Sequence, residues 1–459
     1  MSVGKNGVLM EKENASNRID LLNGSIIGAL FSLSLPIMGT QFIGMAYNLF
    51  DTMWVGQLGN QAVTAVGVAG SFMWVGSGVA MIPQIGGQIM TGQSIGEGSI
   101  EKARRYVGAA IRLMFIIMSA YALACILFRN QLIHYFRLHD PDTVSFAVSY
   151  LSIVSAGNIV MGFNYVMQGL LTAAGDSKTP FKYNAAGAVI NILLDPVLIF
   201  GPGPFPQLGV IGAAIATVVS QSASALLFAL FICRDAYLFK GFRLFEMSGH
   251  REAMRIIKLG APPAIFNIVY AVISIVISRI IVTFGDAAVA VQRIGGQIES
   301  VTWMTSEGFS YAMNSFTAQN YGAENYDRVK KGFYTGTGMM TVFGVLVTLM
   351  LVLGAAPLFG IFIHEPDVIA GGANYLRIVG LSQLFMCYEM ATTGAFNGIG
   401  QTKLPSITGL VLTVARIPMC WLLMPALGIN GVWWAISLSS IIKGVLLQVL
   451  FRIRLQKLN

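Results

Sequence analysis

The chain alternates long apolar stretches with short polar ones. Windows of helical length give twelve apolar segments of about 20 residues or more, long enough to cross the core of a bilayer as helices. This pattern predicts an all-α membrane protein with twelve transmembrane helices. The predicted spans are 27–55, 62–90, 105–127, 144–170, 181–201, 209–233, 256–283, 287–316, 332–357, 368–398, 404–424 and 430–451.

The composition also indicates that lipid is the solvent. Hydrophobic residues make up 55% of the chain and charged residues only 11%, whereas a soluble domain has about 25% charged residues. The first 24 residues are polar and contain no apolar core followed by a cleavage site. We therefore expect residues 1–24 to form a cytosolic N-terminal segment, with no signal peptide removed.

The basic residues predict the orientation of the chain in the membrane. The formal net charge is +8. If the N-terminus is cytosolic, the outer loops hold only Arg129 and Arg137, and the other basic residues outside the spans lie on the inner side. This bias predicts that both termini are cytoplasmic. Because these residues are spread over separate inner segments, the pattern favours a lipid bilayer as partner and not nucleic acid.

The second half of the chain repeats the first. Three pairs of similar blocks share nearly the same offset, and each half holds six predicted spans, so both halves should cross the membrane in the same direction as pseudo-symmetric six-helix bundles. We expect an N-terminal lobe at 25–233, a cytosolic linker at 234–255, a C-terminal lobe at 256–451 and a cytosolic tail at 452–459. The matched blocks are TGQSIGEGSIEKARR (91–105) with TAQNYGAENYDRVKK (317–331) at 226, PDTVSFAVSYLSIV (141–154) with PDVIAGGANYLRIV (366–379) at 225, and GDSKTP (175–180) with GQTKLP (400–405) at 225.

A carboxylate interrupts the fifth predicted span, in NILLDPVLIF (191–200). Asn191 and Asp195 are four residues apart and share a helix face, and Pro196 removes a backbone hydrogen bond beside them. Asp51 lies at a similar distance from the outer end of the first span, so the two acids are expected to meet in the outer half of one lobe. A charged carboxylate in a helix centre costs about 2.5–3.5 kcal/mol, so we expect the pair to be protonated or to hold a cation.

Two polar residues on neighbouring spans are further candidate ligands of that cation. Asn164 lies in the fourth span and Thr217 in the sixth. If the cation is Na⁺, oxygen atoms of Asp51, Asn191 and Asp195 would bind it. The alternative is structural: Asp51 caps a helix or reaches the outer interface, and the other polar side chains form hydrogen bonds between helices.

The second half departs from this arrangement. At the corresponding offsets Asp195 becomes Cys420, Asn191 becomes Arg416 and Asp51 becomes Ile277, so the second lobe is not expected to hold the same cation site. It has acids of its own, and one interpretation is a network of buried ion pairs. These acids are Glu299, Glu307 and Glu389, the last at the position of Asn164, with Arg279, Arg293, Arg377 and Arg416 as candidate partners.

Signatures of enzymes do not fit this chain. GQSIG (92–96) matches the GxSxG pattern, but it follows a predicted transmembrane helix where that motif requires a strand. The sequence contains no GxxxxGK[ST] phosphate loop and no HExxH zinc motif. We expect no enzymatic activity, no cofactor, and an ion gradient as the source of energy.

The sequence resembles the multidrug and toxic compound extrusion (MATE) family along nearly its whole length. The residues that carry the resemblance are Pro36, Gln41, NLFDTMWVGQLG (48–59), the matching inner loops of the two halves, and NILLDP in the fifth span. The resemblance implies two six-helix lobes with a cleft that faces in or out. It also implies export of cationic, amphipathic compounds by antiport with H⁺ or Na⁺ across a bacterial inner membrane.

Within the family, the acids of the first and fifth spans resemble the branch related to the DNA-damage-inducible F proteins, which couples through the N-terminal lobe. Other branches use acids of the C-terminal lobe, so Glu307 or Glu389 is a candidate for binding the positive charge of the drug, or for a second proton step.

We expect a monomer. The alternatives are a lipid-linked saccharide flippase, which should show a cationic cleft, and an ion channel, which would need a filter sequence.

Overall fold

The computed structural model describes residues 18–201, 206–242, 244 and 249–457. Within those residues every regular element is a helix, so the all-α prediction is confirmed. Most of the predicted N-terminal segment 1–24 lies outside the described residues, as do parts of the predicted linker 234–255 and tail 452–459.

The helices of the first half are α1 (Ile26–Gly56), α2 (Asn60–Gly96), α3 (Ile100–Leu127), α4 (Arg129–His134), α5 (Pro141–Ala173), α6 (Lys178–Phe200) and α7 (Gly209–Arg234). Of these, α4 is a short helix that connects the third and fourth spans. Those of the second half are α8 (His250–Val282), α9 (Asp286–Gly322), α10 (Tyr326–Leu353), α11 (Ala355–Gly360), α12 (Pro366–Gly380), α13 (Gln383–Gly398), α14 (Lys403–Val414), α15 (Arg416–Leu427) and α16 (Ile429–Leu455).

Ten helical segments of the described chain are long and apolar enough to cross a membrane, with α14 and α15 counted together. The two other predicted spans are also helical. One is α9, whose Arg293, Glu299 and Glu307 lower its hydropathy, and the other is the pair α12 and α13, which is interrupted at residues 381–382. Each half of the chain therefore provides six spans, as the repeat predicted.

The contacts divide the chain into two units. Among the described residues, the first unit contains 18–20 and 39–264, and the second contains 21–38 and 265–457. One division falls inside α1, two residues after Pro36, and the other falls inside α8, between residues 264 and 265, so both helices contribute to both units. The predicted lobe boundaries stay a prediction.

The two units use the same pairs of helices. In the first unit α5 packs against α2, α3 and α7, and α6 packs against α7. In the second unit α13 packs against α9, α10 and α16, and α15 packs against α16. These are the pairs that the sequence repeat relates, so the repeat extends from the sequence to the packing inside each unit.

One pair of glycines shows why the last two spans of each unit pack closely. A methyl group on Gly212 of α7 would lie 2.3 Å from the carbonyl oxygen of Leu198 on α6. In the second unit a methyl group on Gly431 of α16 would lie 2.6 Å from the carbonyl carbon of Leu423 on α15. Only glycine permits this approach of the two helix backbones.

Aspartate side chains accept hydrogen bonds from the first turn of two helices in the first unit. Asp140 accepts hydrogen bonds from the hydroxyl and the N–H of Thr143 at the start of α5, and these bonds hold the pKa of the Asp140 carboxyl below its usual value. Asp176 accepts from the N–H of Thr179 at 3.0 Å and from its hydroxyl at 2.6 Å, just before α6. The bonds of Asp176 hold the first turn of α6, the helix that carries Asn191 and Asp195.

A candidate cation site in the first unit

Asp195 and Asn191 lie on one face of α6 and are both fully buried, with 0% exposure. The side-chain amide of Asn191 donates a hydrogen bond to Oδ1 of Asp195 at 3.1 Å. This contact spans one helical turn, as their spacing of four residues predicted. Pro196 lies within the same helix and has no N–H to donate to the preceding turn.

Asp51 of α1 belongs to the same polar cluster. Its carboxylate interacts electrostatically with that of Asp195, although the two residues lie on helices that are far apart in the sequence. The structure thus brings together the two acids that the sequence singled out. Their role in ion coupling stays a prediction.

Each of the three residues has a buried oxygen without a hydrogen-bond partner. These atoms are Oδ1 of Asp51, Oδ1 of Asn191 and Oδ2 of Asp195. Buried polar atoms in proteins are nearly always paired, and an unpaired acceptor costs about 1–3 kcal/mol. Three unpaired acceptors in one cluster form a set of ligands suited to a small cation or a proton.

Two tyrosines that the sequence analysis did not select complete the cluster. The hydroxyl of Tyr47 on α1 donates to Thr217 on α7 at 3.0 Å, and Tyr47 interacts electrostatically with both Asp51 and Asp195. Tyr150 of α5 interacts with the same two acids. A signal for Tyr150 was present, because it lies in a repeated block of the sequence, but the block was used only to establish the repeat.

A cavity of about 390 Å³ opens beside this cluster. Asp51, Tyr47 and Tyr150 line it, whereas Asn191, Asp195 and Thr217 do not, so the cluster extends from the cavity wall into the helix packing behind it. Its lining also includes Trp74, Tyr165, Asn164 and Gln221.

Asn164 lies in the wall of this cavity. Its amide nitrogen donates to the backbone carbonyl of Gln221 at 3.0 Å and to the side-chain oxygen of Gln221 at 2.9 Å. Oδ1 of Asn164 is buried without a partner. Asn164 therefore links α5 to α7 and retains an acceptor that a ligand can use.

The charge of the cluster limits the kind of ion it suits. Among the described residues no group of three or more His, Cys, Asp or Glu side chains is placed to hold a metal ion. The cluster contributes two carboxylates together with amide and hydroxyl oxygens. Hard oxygen ligands with at most two negative charges fit H⁺ or Na⁺ better than a transition metal, which prefers imidazole or thiolate ligands.

In the second unit, Glu389 has a different partner from the arginines that we expected. Its Oε1 accepts a hydrogen bond at 3.0 Å from the ammonium group of Lys443 on α16, and both side chains are buried. The expectation of an arginine partner was wrong for Glu389. Lys443 lies in the twelfth span, and the sequence analysis did not select it because its spacing from Glu389 gives no sign of contact.

The two remaining acids of the second unit lie on α9. Glu299 accepts hydrogen bonds from the hydroxyl of Tyr375 and from the side-chain amide of Gln383, and it interacts electrostatically with Arg416. Glu307 accepts a long hydrogen bond of 3.5 Å from the hydroxyl of Tyr311 one turn later. The candidate partners Arg279, Arg293 and Arg377 are exposed.

The helices and the buried acids define a class of protein: a membrane transporter built from two related six-helix units. Comparison with known proteins gives the family. The MatE family model matches two segments, 36–197 and 262–422, one in each half of the chain. The chain therefore belongs to the MatE family, and the predicted resemblance is confirmed. Its relatives are transporters and not enzymes.

The chain is similar over nearly its full length to named relatives. It is 28% identical over 427 residues to the probable multidrug resistance protein NorM of Thermotoga maritima, covering 92% of this chain and 91% of that one. It is 26% identical over 439 residues to the FAD transporter of Shewanella oneidensis, covering 94% and 95%. A solved outward-facing conformation of a multidrug resistance MATE family transporter shares the fold, with a TM-score of 0.88, 23% identity and coverage of 96% and 98%.

Proposed function

We propose that this protein is a secondary active multidrug exporter, which exchanges cationic amphipathic compounds for H⁺ or Na⁺ by alternating access of its two lobes. The observation that carries the proposal is the cluster of Asp51, Asn191 and Asp195, with a buried unpaired oxygen on each residue. The unpaired oxygens of this site gain a partner when a cation or a proton is bound. When the site is empty they have none, which is energetically unfavourable.

Ion entry supplies the energy. Without an ion, the two interacting carboxylates lie in a medium of low dielectric constant, and their charges are expensive there. Binding of H⁺ or Na⁺ removes this cost. The cluster therefore prefers one arrangement when the ion is bound and another when it is empty. One positive charge that crosses a membrane potential of 100 mV contributes about 2.3 kcal/mol.

The first helix connects the ion site to a conformational change. Asp51 lies about four turns after Pro36 on the same helix. Proline leaves a carbonyl of the preceding turn without its helical hydrogen bond, and helices bend at such positions. In the proposed cycle, ion uptake at Asp51 and Asp195 bends α1 near Pro36, and the drug leaves on the outer side.

The cavity lining favours a cationic substrate. Trp74, Tyr47 and Tyr165 provide aromatic faces, which attract organic cations. Asp51 is the only charged residue among the described residues that line the cavity. FAD, which the relative from Shewanella oneidensis is named for, and a lipid-linked pyrophosphate both carry negative phosphates and would need basic residues there. The flippase alternative therefore has less support.

The finer assignments are part of the same proposal. The acids of the first and fifth spans support a position in the branch related to the DNA-damage-inducible F proteins. The bias in basic residues supports a cytoplasmic location for both termini, in a bacterial cell. We propose that a single chain carries out transport, because the cluster and its cavity lie within one unit of one chain.

Transport by purified protein tests the proposal. In proteoliposomes with an imposed pH or sodium gradient, the wild-type protein should drive ethidium movement, and Asp195→Asn should abolish it while the folded protein stays in the membrane. Asp142→Asn makes the same chemical change at an exposed position and should transport normally. Normal gradient-driven export by Asp195→Asn would refute the assignment of the site.

The choice of gradient separates the remaining possibilities. A pure pH gradient and a pure sodium gradient, imposed separately, would identify the coupling ion. Movement of a saccharide-lipid without any gradient would support a flippase. A passive current that needs no substrate would support a channel.

A further inference from the structure

The repeat shows what occupies the position of the ion site in the second unit. Offset 225 carries the fifth span onto the eleventh and the fourth onto the tenth. Offset 219 carries the sixth span onto the twelfth, because LGVIG (208–212) matches LGING (427–431). The two offsets relate Asn191 to Arg416, Asp195 to Cys420, Tyr150 to Tyr375 and Ser220 to Ser439. The guanidinium group of Arg416 therefore stands where the first unit has the side-chain amide of Asn191.

Arg416 is buried and held by hydroxyl groups. It is 7% exposed. Its Nε donates to Oγ of Ser439 at 2.7 Å, and its Nη2 donates to Oγ of Ser440 at 3.1 Å. Its Cζ lies 5.7 Å from the centre of the Tyr270 ring. The positive charge is thus fixed among ligands from α8 and α16, as a bound cation would be.

The acid whose charge interacts with Arg416 lies on a different helix from the acids of the first unit, and it interacts without a direct hydrogen bond to the guanidinium group. Glu299 of α9 interacts electrostatically with Arg416, and each of its two carboxylate oxygens accepts a hydrogen bond, one from Tyr375 and one from Gln383. In the first unit, by contrast, the carboxylates of Asp51 and Asp195 each keep a buried oxygen without a partner.

We propose that Arg416 is a built-in substitute for the coupling cation, and that it closes a latent site for a monovalent cation at Glu299 in the second unit. The inference rests on the proposed ion site of the first unit. Arginine keeps its charge at all physiological pH values, and its covalent tether prevents it from leaving. The second unit therefore stays charge-balanced throughout transport and binds no exchangeable ion at this position.

Another acid in the same unit, which is buried, is compensated by a direct ion pair. Glu389 stands where the first unit has the neutral Asn164, and the ammonium group of Lys443 neutralises it. The other titratable groups that interact with Tyr375 or Arg416 in the latent site are Tyr270 and Cys420. Neither supplies a second carboxylate, so loss of the guanidinium group would leave the charge of Glu299 uncompensated.

Removal of the guanidinium group should open the latent site. A buried carboxylate without a counter-charge is unfavourable, so it takes up a cation or a proton. Arg416→Met should therefore bind about one more monovalent cation per protein than the wild type. Tyr375, Gln383 and Ser439 would provide oxygen atoms around it.

The experiment counts bound cations on the full-length protein in lipid nanodiscs. Radioactive sodium measures Na⁺, and a pH indicator measures protons taken up in weakly buffered solution. The variants are Arg416→Met, Arg416→Met with Glu299→Gln, Arg416→Met with Asp195→Asn, and Arg416→Lys, which keeps a positive charge. A gain with Arg416→Met that is lost when Glu299→Gln is added, and that does not occur with Arg416→Lys, supports the proposal.

Other outcomes overturn it. A folded Arg416→Met protein that binds the wild-type number of cations would show that no latent site exists. If that variant does not fold, Glu299→Gln alone still tests the proposal. An unchanged number of bound cations supports the proposal. A loss of about one cation contradicts it, because Glu299 would then bind an ion even though Arg416 is present. Asp195→Asn alone tests the first unit separately, and the gain should persist when it is combined with Arg416→Met.

Discussion

The buried ion pair of Glu389 and Lys443 allows a quantitative prediction. Its N–O distance is 3.0 Å, and the side chains are 8% and 4% exposed. At this distance and an effective dielectric constant of about 20, the attraction is about 5.5 kcal/mol. Because desolvation offsets most of this gain, the pair itself adds little net stability, but either partner alone is costly.

Lys443→Met keeps most of the side-chain volume and leaves Glu389 buried without its partner. We expect the free energy of unfolding to fall by about 3–5 kcal/mol. Replacing both residues by methionine should recover most of that loss, because well-packed apolar pairs are as stable as buried ion pairs or more so. Lys403→Met, at an exposed position, should cost no more than about 0.5 kcal/mol.

Unfolding in mixed micelles of mild detergent and SDS, followed by tryptophan fluorescence, measures these free energies. Lys443→Met, Glu389→Met and the variant that carries both changes form a thermodynamic cycle with the wild type. Single effects that add to within about 0.5 kcal/mol would show that the two side chains do not interact. A loss below about 1 kcal/mol for Lys443→Met would refute the argument that the carboxylate depends on this ammonium group.

Three further predictions concern the first unit. Gly212→Ala places a methyl group 2.3 Å from a backbone oxygen and should lower the free energy of unfolding by about 1–3 kcal/mol. The control is Gly67→Ala, whose added methyl group has no atom within 4 Å and should leave the free energy of unfolding unchanged. Tyr47→Phe removes the donor to Thr217 and should weaken ion binding about 2- to 10-fold in titrations. The N-cap hydrogen bonds lower the pKa of Asp140. Its capping of α5 should therefore persist at neutral pH and be lost as the pH falls through that lowered pKa. Amide hydrogen exchange at the start of α5 would measure the loss.

Each of these predictions has an outcome that contradicts it. Equal stability of Gly212→Ala and Gly67→Ala would mean that α6 and α7 can separate without cost. Unchanged ion affinity in Tyr47→Phe would remove the tyrosine from the site. Exchange at the start of α5 that does not change with pH would show that another group caps the helix.

The sequence predicted the composition of the polar cluster in the first unit better than its geometry. Asp51, Asn191 and Asp195 were found because a polar residue in an apolar span is conspicuous. Tyr47 and Tyr150 were missed because a tyrosine in a membrane helix is common, and only its contacts distinguish it. Thr217 was selected, and its bond to Tyr47 gives it a defined place in the cluster.

In the second unit the sequence found the acids but assigned the wrong partner to Glu389. Four arginines were considered because they lie on the spans near the acids. Three of them are exposed, and the buried partner is Lys443. Which basic residue meets an acid depends on the rotation of each helix about its axis, and that rotation is set by packing over its whole length.

The sequence by itself determined the class of protein, the number of spans, the internal repeat and the presence of acids at membrane depth. These features are local, because span length, helical period and the solvation cost of a charge are properties of short segments. Only the tertiary structure decided which of the acids keep unpaired oxygens and which one is paired with a buried lysine. Those contacts join helices far apart in the chain, and no spacing within one segment encodes them.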